Sequence, residues 1–468
     1  LKRMTSQMGM ALIAVVLAAT ACSSGTGSST KGEDDWEDGF VESEPAAVQP
    51  KAETDDNAGM DDEERVTLTL NYFYENENML STMKKAAEGF LAKHPGVRID
   101  WKLIDASSST NVADLIKSSD PHDVFWIPSW LTYQDFVASG KLLDLSPYQG
   151  EMGGDAYYES LASRFTYEGR SYALPVASSS YVIYYNKKLM TGDTAPSLSW
   201  TYEEMIQSAK TIMKEQSSAG IVLAGILLQT VGQAYGGEAL NADRTQFELT
   251  DRYREGLSVM LRALTEDLID GRKEADWKNG TGFDNAINSD FYSGKVPMMA
   301  GYSWQLHDVL QRMPDVGIAP FPAGPAKQQG VGYTDGLAVS TASTHQQEAI
   351  ELVQYLSGSE EANNIYVNDH YSLPLVLTDQ VRAAWRNSFA DPSLADKLEY
   401  IVQTNDGNMY TATAAPGFQK ALTQFSNLLI SPDKGLISGT RRLDDEFDRA
   451  IEKINADWKL EQDKAVKP

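Results

Sequence analysis

Apolar and polar positions after Val66 follow two periods in turn. Residues 66–74, VTLTLNYFY, are rich in β-branched and aromatic side chains and read as a strand. In residues 78–94 the apolar positions Met79, Leu80, Met83, Ala86, Phe90 and Leu91 recur at helical spacing. A Pro95-Gly96 turn leads into a second strand ending at Asp105. A helix over 111–119 and a strand over 122–127, HDVFWI, complete the order β-α-β-α-β. That order predicts a parallel sheet with helices on its faces, an α/β fold. Residues 133–148 read as a helix stopped at Gly140 and a short extended piece. Residues 165–190 read as a hairpin turning at Glu168-Gly169, whose return strand runs on through Pro175 and the small, polar ASSS. Such a stretch suits a hinge or a crossover between domains. In residues 199–216 Thr201 is placed to cap a helix, with Glu204 closing the box three residues on. Further helices are predicted over 252–268, 349–357, 416–429 and 443–460, the last with Phe447, Ile451 and Ile454 along one face.

The first 65 residues have a different character. Lys2 and Arg3 precede an apolar run over 8–19, and the small residues Ala19, Thr20 and Ala21 lead into Cys22, the single cysteine of the 468 residues. A positive start, an apolar run and a small-residue site are the parts of an export signal, here 1–21. The run is too short to read as a lasting bilayer span. ATAC resembles the lipoprotein box of bacterial signal peptides, departing from it where Ala19 stands in place of the usual leucine. That resemblance implies cleavage before Cys22, a lipid on its sulfur, and an extracytoplasmic protein anchored to the cell membrane by acyl chains. Residues 23–65 hold fourteen Asp or Glu against three Lys or Arg and few apolar side chains. With nothing to offset the entropy of ordering, 22–65 is expected to be a lipidated cysteine followed by a disordered acidic spacer.

About 400 residues remain, more than one hydrophobic core usually holds, so two domains are expected. The chain carries a formal charge of −26. A strongly acidic body argues against a nucleic-acid partner, whose phosphates demand cations. The histidines, His94, His122, His307, His345 and His370, are far apart, and HExxH, CxxC and the EF-hand spacing are missing. No cofactor is expected, although scattered carboxylates around a calcium ion remain open.

Several stretches, taken in order, resemble the extracellular solute-binding proteins of bacterial ABC importers, in the family that contains the maltose-binding proteins. They are AAEGFLAKHPGVRIDW, HDVFWIPSWLTYQDFVASGKLLDL, YEGRSYALPVASSSYVIYYNKKLM, PSLSWTYEEMIQSAKTI, FYSGKVPMMAGYSW, and VGIAPFPAG followed by GYTDGLAVSTAS. Each is a loose pattern, and their joint order carries the resemblance. It implies a two-lobed α/β fold with a hinge and a ligand cleft between lobes. The first lobe would take 66–176 and 331–368, the second 177–330 and 369–460, with 461–468 as a tail. The implied activity is capture of a solute, mostly a sugar or oligosaccharide in this family, and its delivery to the transmembrane subunits of a permease.

Sugars present C–H faces to aromatic rings and hydroxyl rims to carboxylates and amides. In α/β sheets ligands bind beyond the carboxyl ends of strands. This singles out Tyr74 and Glu75 after the first strand, and Trp126 and Trp130 at the third. Trp304 matches the stacking residue that the family places in its second lobe. Tyr333 and Asp335 in GYTDG stand where the chain returns to the first lobe. Tyr371, Phe418, Gln229 and Tyr235 are weaker candidates. Core packing competes for each Trp, a solvated loop charge for Glu75, and a turn role for Asp335. The competing classes are a glycoside hydrolase and a sensing surface subunit. A hydrolase needs two carboxylates facing across a sugar. Glu75 and Asp335 are a conceivable pair, but the eightfold β-α repeat of a barrel and the GxSxG elbow are both missing.

The front of the chain generates one prediction. Replacing Cys22→Ser is expected to move the protein from the membrane to the soluble fraction or leave it unprocessed. Metabolic labelling with a tritiated fatty acid checks it, and a variant that still takes up label refutes the anchor.

Overall fold

Leu68, Leu70 and Tyr72 occupy one face of the first strand and are at most 1% exposed. The alternation there is that of a strand laid against a hydrophobic layer. In the computed structural model the described residues are 65–74, 77–105, 122–128, 137, 139–148, 161, 164–216, 221–222, 226–266, 269–270, 290–328, 330–376, 378–405, 417–430, 435–436 and 442–465. The expected signal, Cys22, the acidic spacer and the helix expected over 111–119 lie outside them.

The elements follow in chain order as β1 (Val66–Tyr74), α1 (Glu77–Lys93), β2 (Val97–Asp105), β3 (Val124–Ile127), β4 (Thr166–Tyr167), β5 (Arg170–Ser171) and β6 (Leu174–Asn186). Next come α2 (Tyr202–Gln216), β7 (Ile221–Val222), α3 (Ile226–Ala234), α4 (Asp251–Thr265), β8 (Ile269–Asp270), β9 (Met298–Tyr302), α5 (Leu306–Arg312), β10 (Val316–Ala319) and β11 (Gly332–Val339). The chain closes with α6 (Gln346–Gly358), α7 (Glu360–Asn368), α8 (Asp379–Asn387), α9 (Ser393–Asn405), α10 (Phe418–Ile430) and α11 (Asp445–Ala465).

Local signals are realised where the sequence carries them. Glu168 and Gly169 both have positive φ, at 49° and 78°, which closes the two-residue turn between β4 and β5. The Thr201 amide donates to Glu204 Oε2 at 2.7 Å and the Glu204 amide to Thr201 Oγ1 at 3.1 Å, a reciprocal box at the start of α2. On α11, Phe447, Ile451, Ile454 and Trp458 are all buried along one face. Among the described residues no helix is long and apolar enough to cross a membrane.

Sheet topology departs from the parallel expectation. Nine strands join in the order β2-β1-β3-β11-β6-β9-β7-β8, with β10 also paired to β6. β1 is parallel to β2 and β3, and β7 is parallel to β8 and β9. β11 is antiparallel to both β3 and β6, and β6 is antiparallel to β9 and β10. The cause is connectivity. β6 follows the β4–β5 hairpin directly, without the helical crossover that parallel pairing requires.

β6 joins two cores. Its first half, through Ala177, packs in a cluster with β1, β3, α1, β11 and α6. From Tyr181 onward its side chains feed two further clusters, one on each face. Tyr181, Ile183 and Tyr185 join residues of α2, α3, α4, α10 and α11. Val182 and Tyr184 join residues of α5, β10, α8 and α9. The result is two lobes that share one strand. The chain passes between them three times. β6 crosses first. The segment before β11 runs beside it, where the Tyr181 amide donates to the Val331 carbonyl at 2.9 Å. Residues 369–373 cross last, where the Leu373 amide donates to the Ser178 carbonyl at 2.9 Å.

His370 sits on this last crossing at φ 52°. Its backbone ends α7, while its ring packs on Phe389 at 4.6 Å and its Nε2 lies 3.1 Å from Ser388 Oγ beyond α8. Burial lowers its pKa from 6.5 to about 4, with His307 adding to the fall and Asp369 opposing it. The folded protein therefore holds the ring neutral. Its stabilisation is fully present above pH 6.5 and is lost as pH falls from 6.5 through 4. The difference corresponds to about 3 kcal/mol. Urea unfolding at pH 7 and pH 4.5 is expected to show this loss, and His370→Phe, which cannot take up the proton, is expected to reduce it.

Candidate functional site

Between the two lobes a band of rings forms where β6, β9 and β11 meet. Tyr181 and Tyr302 are opposite one another in the β6–β9 ladder, with ring centroids 4.0 Å apart. Tyr333, near the start of β11, lies 5.8 Å from each of them. After Tyr302 the strand ends in a 3-10 turn, Ser303–Gln305, which presents Trp304. Its indole stacks on Tyr302 at 5.6 Å and 29°. Hydrogen bonds hold the group. The Tyr181 hydroxyl donates to that of Tyr302, and the Tyr184 hydroxyl donates to the Tyr302 carbonyl at 2.6 Å. Gln305 Oε1 accepts from the Tyr302 amide at 2.9 Å and fixes the turn. Tyr181 and Tyr302 form a buried floor, whereas Trp304 and Tyr333 keep part of their surface accessible.

Charge enters from the first lobe. Tyr333 and Asp335, two residues apart on β11, share a face, and Thr334 between them is fully buried. The pairing of β11 with β6 shifts register between Asp335 and Gly336, so that Val176 becomes an extra residue in β6. A bulge of this kind re-aims neighbouring side chains. Pro175, which has no amide hydrogen to give the ladder, stands beside the bulge, a position such a residue tolerates inside a sheet. Arg164, just before the β4–β5 hairpin, faces this group. Burial pushes its guanidinium pKa down while Asp335 and Tyr333 oppose the change. Burial pushes the Tyr333 phenol up, and Arg164 opposes that. Tyr371 is raised most by burial, with Tyr72, Tyr366 and Asp335 contributing. The arrangement offers a flat aromatic surface on one side and a carboxylate beside a guanidinium on the other. It suits a neutral molecule with apolar faces and a rim of hydroxyls.

The candidates read from sequence separate on this geometry. Trp304, Tyr333 and Asp335 come together at the junction. Tyr371, 5% exposed, lies beneath them on the first-lobe side. Trp126 is 3% exposed and packs edge-on against Tyr72 at 4.9 Å, a core side chain of the first lobe. Phe418 is 2% exposed against Trp458 at 5.5 Å, in the core of the second. The buried Tyr235 donates from its hydroxyl to Glu203 Oε1 at 2.6 Å. The side chains of Tyr74 and Gln229 lie outside the described set, although their backbones belong to β1 and α3. Glu75 and Trp130 lie outside it entirely, and with Glu75 the conceivable carboxylate pair. Sequence reasoning missed Arg164, Tyr181 and Tyr302. A lone Arg before a hairpin carries no signal, and the two tyrosines read as ordinary strand residues. Among the described residues no group of three His, Cys, Asp or Glu side chains is placed to hold a metal ion.

Comparison with known proteins agrees with this architecture. The family model described as bacterial extracellular solute-binding protein matches residues 75–363. The multiple sugar-binding protein of Streptococcus mutans is 24% identical over 323 residues, covering 64% of this chain and 73% of that protein. Among solved structures, the ABC substrate-binding protein Lmo0181 from Listeria monocytogenes, in complex with cycloalternan, aligns with a TM-score of 0.70 at 17% identity, over 85% of this chain and 98% of that one. The sugar-binding protein MalE from Xanthomonas citri aligns at 0.68 and 14% identity, over 86% and 98%. The fold is thus the two-lobed α/β fold of periplasmic binding proteins, with its hinge and interlobe cleft.

The bulge generates a prediction. A Cβ on Gly336 would stand 2.7–3.0 Å from three carbons of the Phe165 ring, next to Arg164. Gly336→Ala is expected to displace that ring and to cost about 1–3 kcal/mol, measured by urea unfolding. A variant as stable as the parent would show that the ring moves freely.

Proposed function

The chain belongs to the bacterial extracellular solute-binding proteins, and from that premise we propose that it captures a sugar or short oligosaccharide between its lobes and hands it to an ABC-type permease. The observation that carries the sugar class is the junction itself, where Trp304 and Tyr333 lie beside Asp335. The names of the relatives support it, since the Streptococcus mutans protein is a multiple sugar-binding protein and the Listeria monocytogenes structure holds cycloalternan. In this reading residues 66–176 and 331–368 form the first lobe, and 177–330 and 369–460 the second. A lipid on Cys22 tethers the protein to the outer face of the cell membrane, and the acidic segment to residue 65 spaces it from the surface.

Each side chain has a role in capture. Trp304 stacks on a C–H face of a sugar ring, with Tyr302 beneath the indole to keep it from tilting. Asp335 accepts from ring hydroxyls, and Arg164 holds that carboxylate against reorientation. Closure of the lobes brings the second surface onto a ligand already resting on the first. The equilibrium shifts only because the closed form makes contacts that the open form lacks. The permease then distinguishes loaded from empty protein by the spacing of two docking surfaces. No bond is broken in this cycle, and the sugar leaves unchanged.

Purified protein screened by thermal shift against a panel of neutral mono- and oligosaccharides is expected to give a stabilising hit. Chromatography is expected to recover that hit intact, and solution scattering to show a smaller radius of gyration with it bound. Trp304→Ala is expected to weaken binding by on the order of thirtyfold or more, equivalent to about 2 kcal/mol, with the unliganded melting temperature little changed. Hydrolysis of the hit, or full binding by the variant, would each overturn the reading.

A further inference from the structure

Beyond the Tyr302 contacts, the turn that carries Trp304 is fastened to the strand that joins the lobes by one further group, the Ser303 hydroxyl. Ser303 Oγ accepts from the Ser180 amide at 3.1 Å and lies 3.2 Å from Ser179 Oγ. Both Ser180 and Ser303 are buried, at 2% and 4% exposure. The reason lies in the ladder. Along β6, Ser179 is paired to β11 on one edge, and the next edge-facing positions, Ser178 and Ser180, point their main-chain groups the other way. On that opposite edge β9 stops at Tyr302, level with Tyr181. Just past the end of that ladder, Ser303 Oγ accepts from the Ser180 amide. Two residues back along β6, Ser372 Oγ accepts from the Ser178 amide at 2.8 Å and donates to the Leu373 carbonyl at 2.7 Å, while the Leu373 amide donates to the Ser178 carbonyl.

We propose that Ser303 is a positioning residue that locks the Trp304 turn to the hinge strand, so that the spacing of the lobes and the orientation of the indole are set together. A hydroxyl suits this task. It offers one donor and two lone pairs on a rotor, so it can exchange between Ser179 and Ser180 as β6 twists, where a main-chain carbonyl is fixed by its strand. Rotation of the lobes alters the relation of Ser179 and Ser180 to Tyr302, and Ser303 transmits that change to its neighbour in sequence, Trp304. Conversely, a molecule that fixes the indole biases the hinge. The inference rests on the reading of Trp304 as a cleft residue, but its test requires no sugar.

The test measures lobe spacing directly in the unliganded protein. Spin labels are attached at Lys84→Cys on α1 and Lys459→Cys on α11, both exposed positions on different lobes, in a Cys22→Ser background. Electron–electron double resonance gives the distance distribution. With Ser303 intact a principal spacing is expected. Ser303→Ala is expected to deplete it about fivefold relative to other spacings, the ratio that corresponds to one lost buried hydrogen bond. Ser303→Thr, which keeps the hydroxyl, is expected to restore the parent distribution. A Ser303→Ala protein that melts like the parent and shows an unchanged distribution overturns the proposal. So does a Thr variant that behaves like the Ala variant. If Ser303→Ala does not fold, Ser179→Ala removes the hydroxyl pair alone, and the same depletion or its lack decides the matter. Failure of every sugar in the panel, with this depletion observed, would refute the sugar reading and leave the Ser303 attachment standing.

Discussion

A buried strand must satisfy every main-chain donor and acceptor along both edges, and β6 must do so while passing from one sheet to another. That requirement organises the molecule. Over its first half β11 satisfies one edge, and over its second half β9 and β10 satisfy both. Among the described residues, the second edge of that first half is joined to no strand. At Ser180 and Ser178 of that edge, Ser303 and Ser372 supply side-chain oxygen, one from the end of β9 and the other from the last crossing. The run Ala177–Ser180 is small and polar for the same reason, since bulky side chains there would hold the incoming hydroxyls away. The other two crossings run alongside this stretch, so the link between lobes is a bundle of three chain segments rather than a flexible tether.

The junction is chemically asymmetric. Rings come from the middle of β6, the end of β9 and the first residues of β11. The guanidinium and carboxylate come from the first lobe, where Arg164 precedes a hairpin and Asp335 stands at the bulge. A charge shielded from water is costly unless an opposite charge accompanies it. Arg164 and Asp335 meet that condition together, within a body whose formal charge is strongly negative. A large part of the acidic surplus lies in residues 23–65, outside the junction. At the junction the guanidinium and the carboxylate thus offset one another.

Much of the fold could be read from the sequence because its signals are local. The β-branched run of β1, the Glu168-Gly169 turn and the Thr201–Glu204 box each depend on residues within four positions of one another. The short helices α5, α7 and α8 were not predicted. Seven to nine residues give about two to two and a half turns, too few for a helical period to stand out. The parallel sheet was predicted too broadly because direction in a sheet depends on how strands are connected, not on their composition. At the junction, Trp304 and Asp335 could be found from their neighbours in sequence. Trp126 and Phe418 could not be told from junction aromatics, since a ring that follows a strand or begins a helix has the same pattern whether it faces a core or a cleft. The partnership of Arg164 with Asp335 joins residues 171 positions apart and leaves no trace in either segment.

The extra residue at Val176 also sets the phase of everything that follows it in β6. Side chains on a strand alternate with period two, so a slip of one position exchanges the two faces. Downstream, Tyr181, Ile183 and Tyr185 belong to one cluster of the second lobe, and Val182 and Tyr184 to the other. The helices that receive them are different, and so are the shapes they fill. Pro175 guards this phase, because a register moved by one residue would put its missing amide where the ladder needs a donor. The second lobe therefore takes its inside and outside from a dipeptide in the first. The two halves of the molecule, separate in their cores, are locked in step by the parity of a single strand.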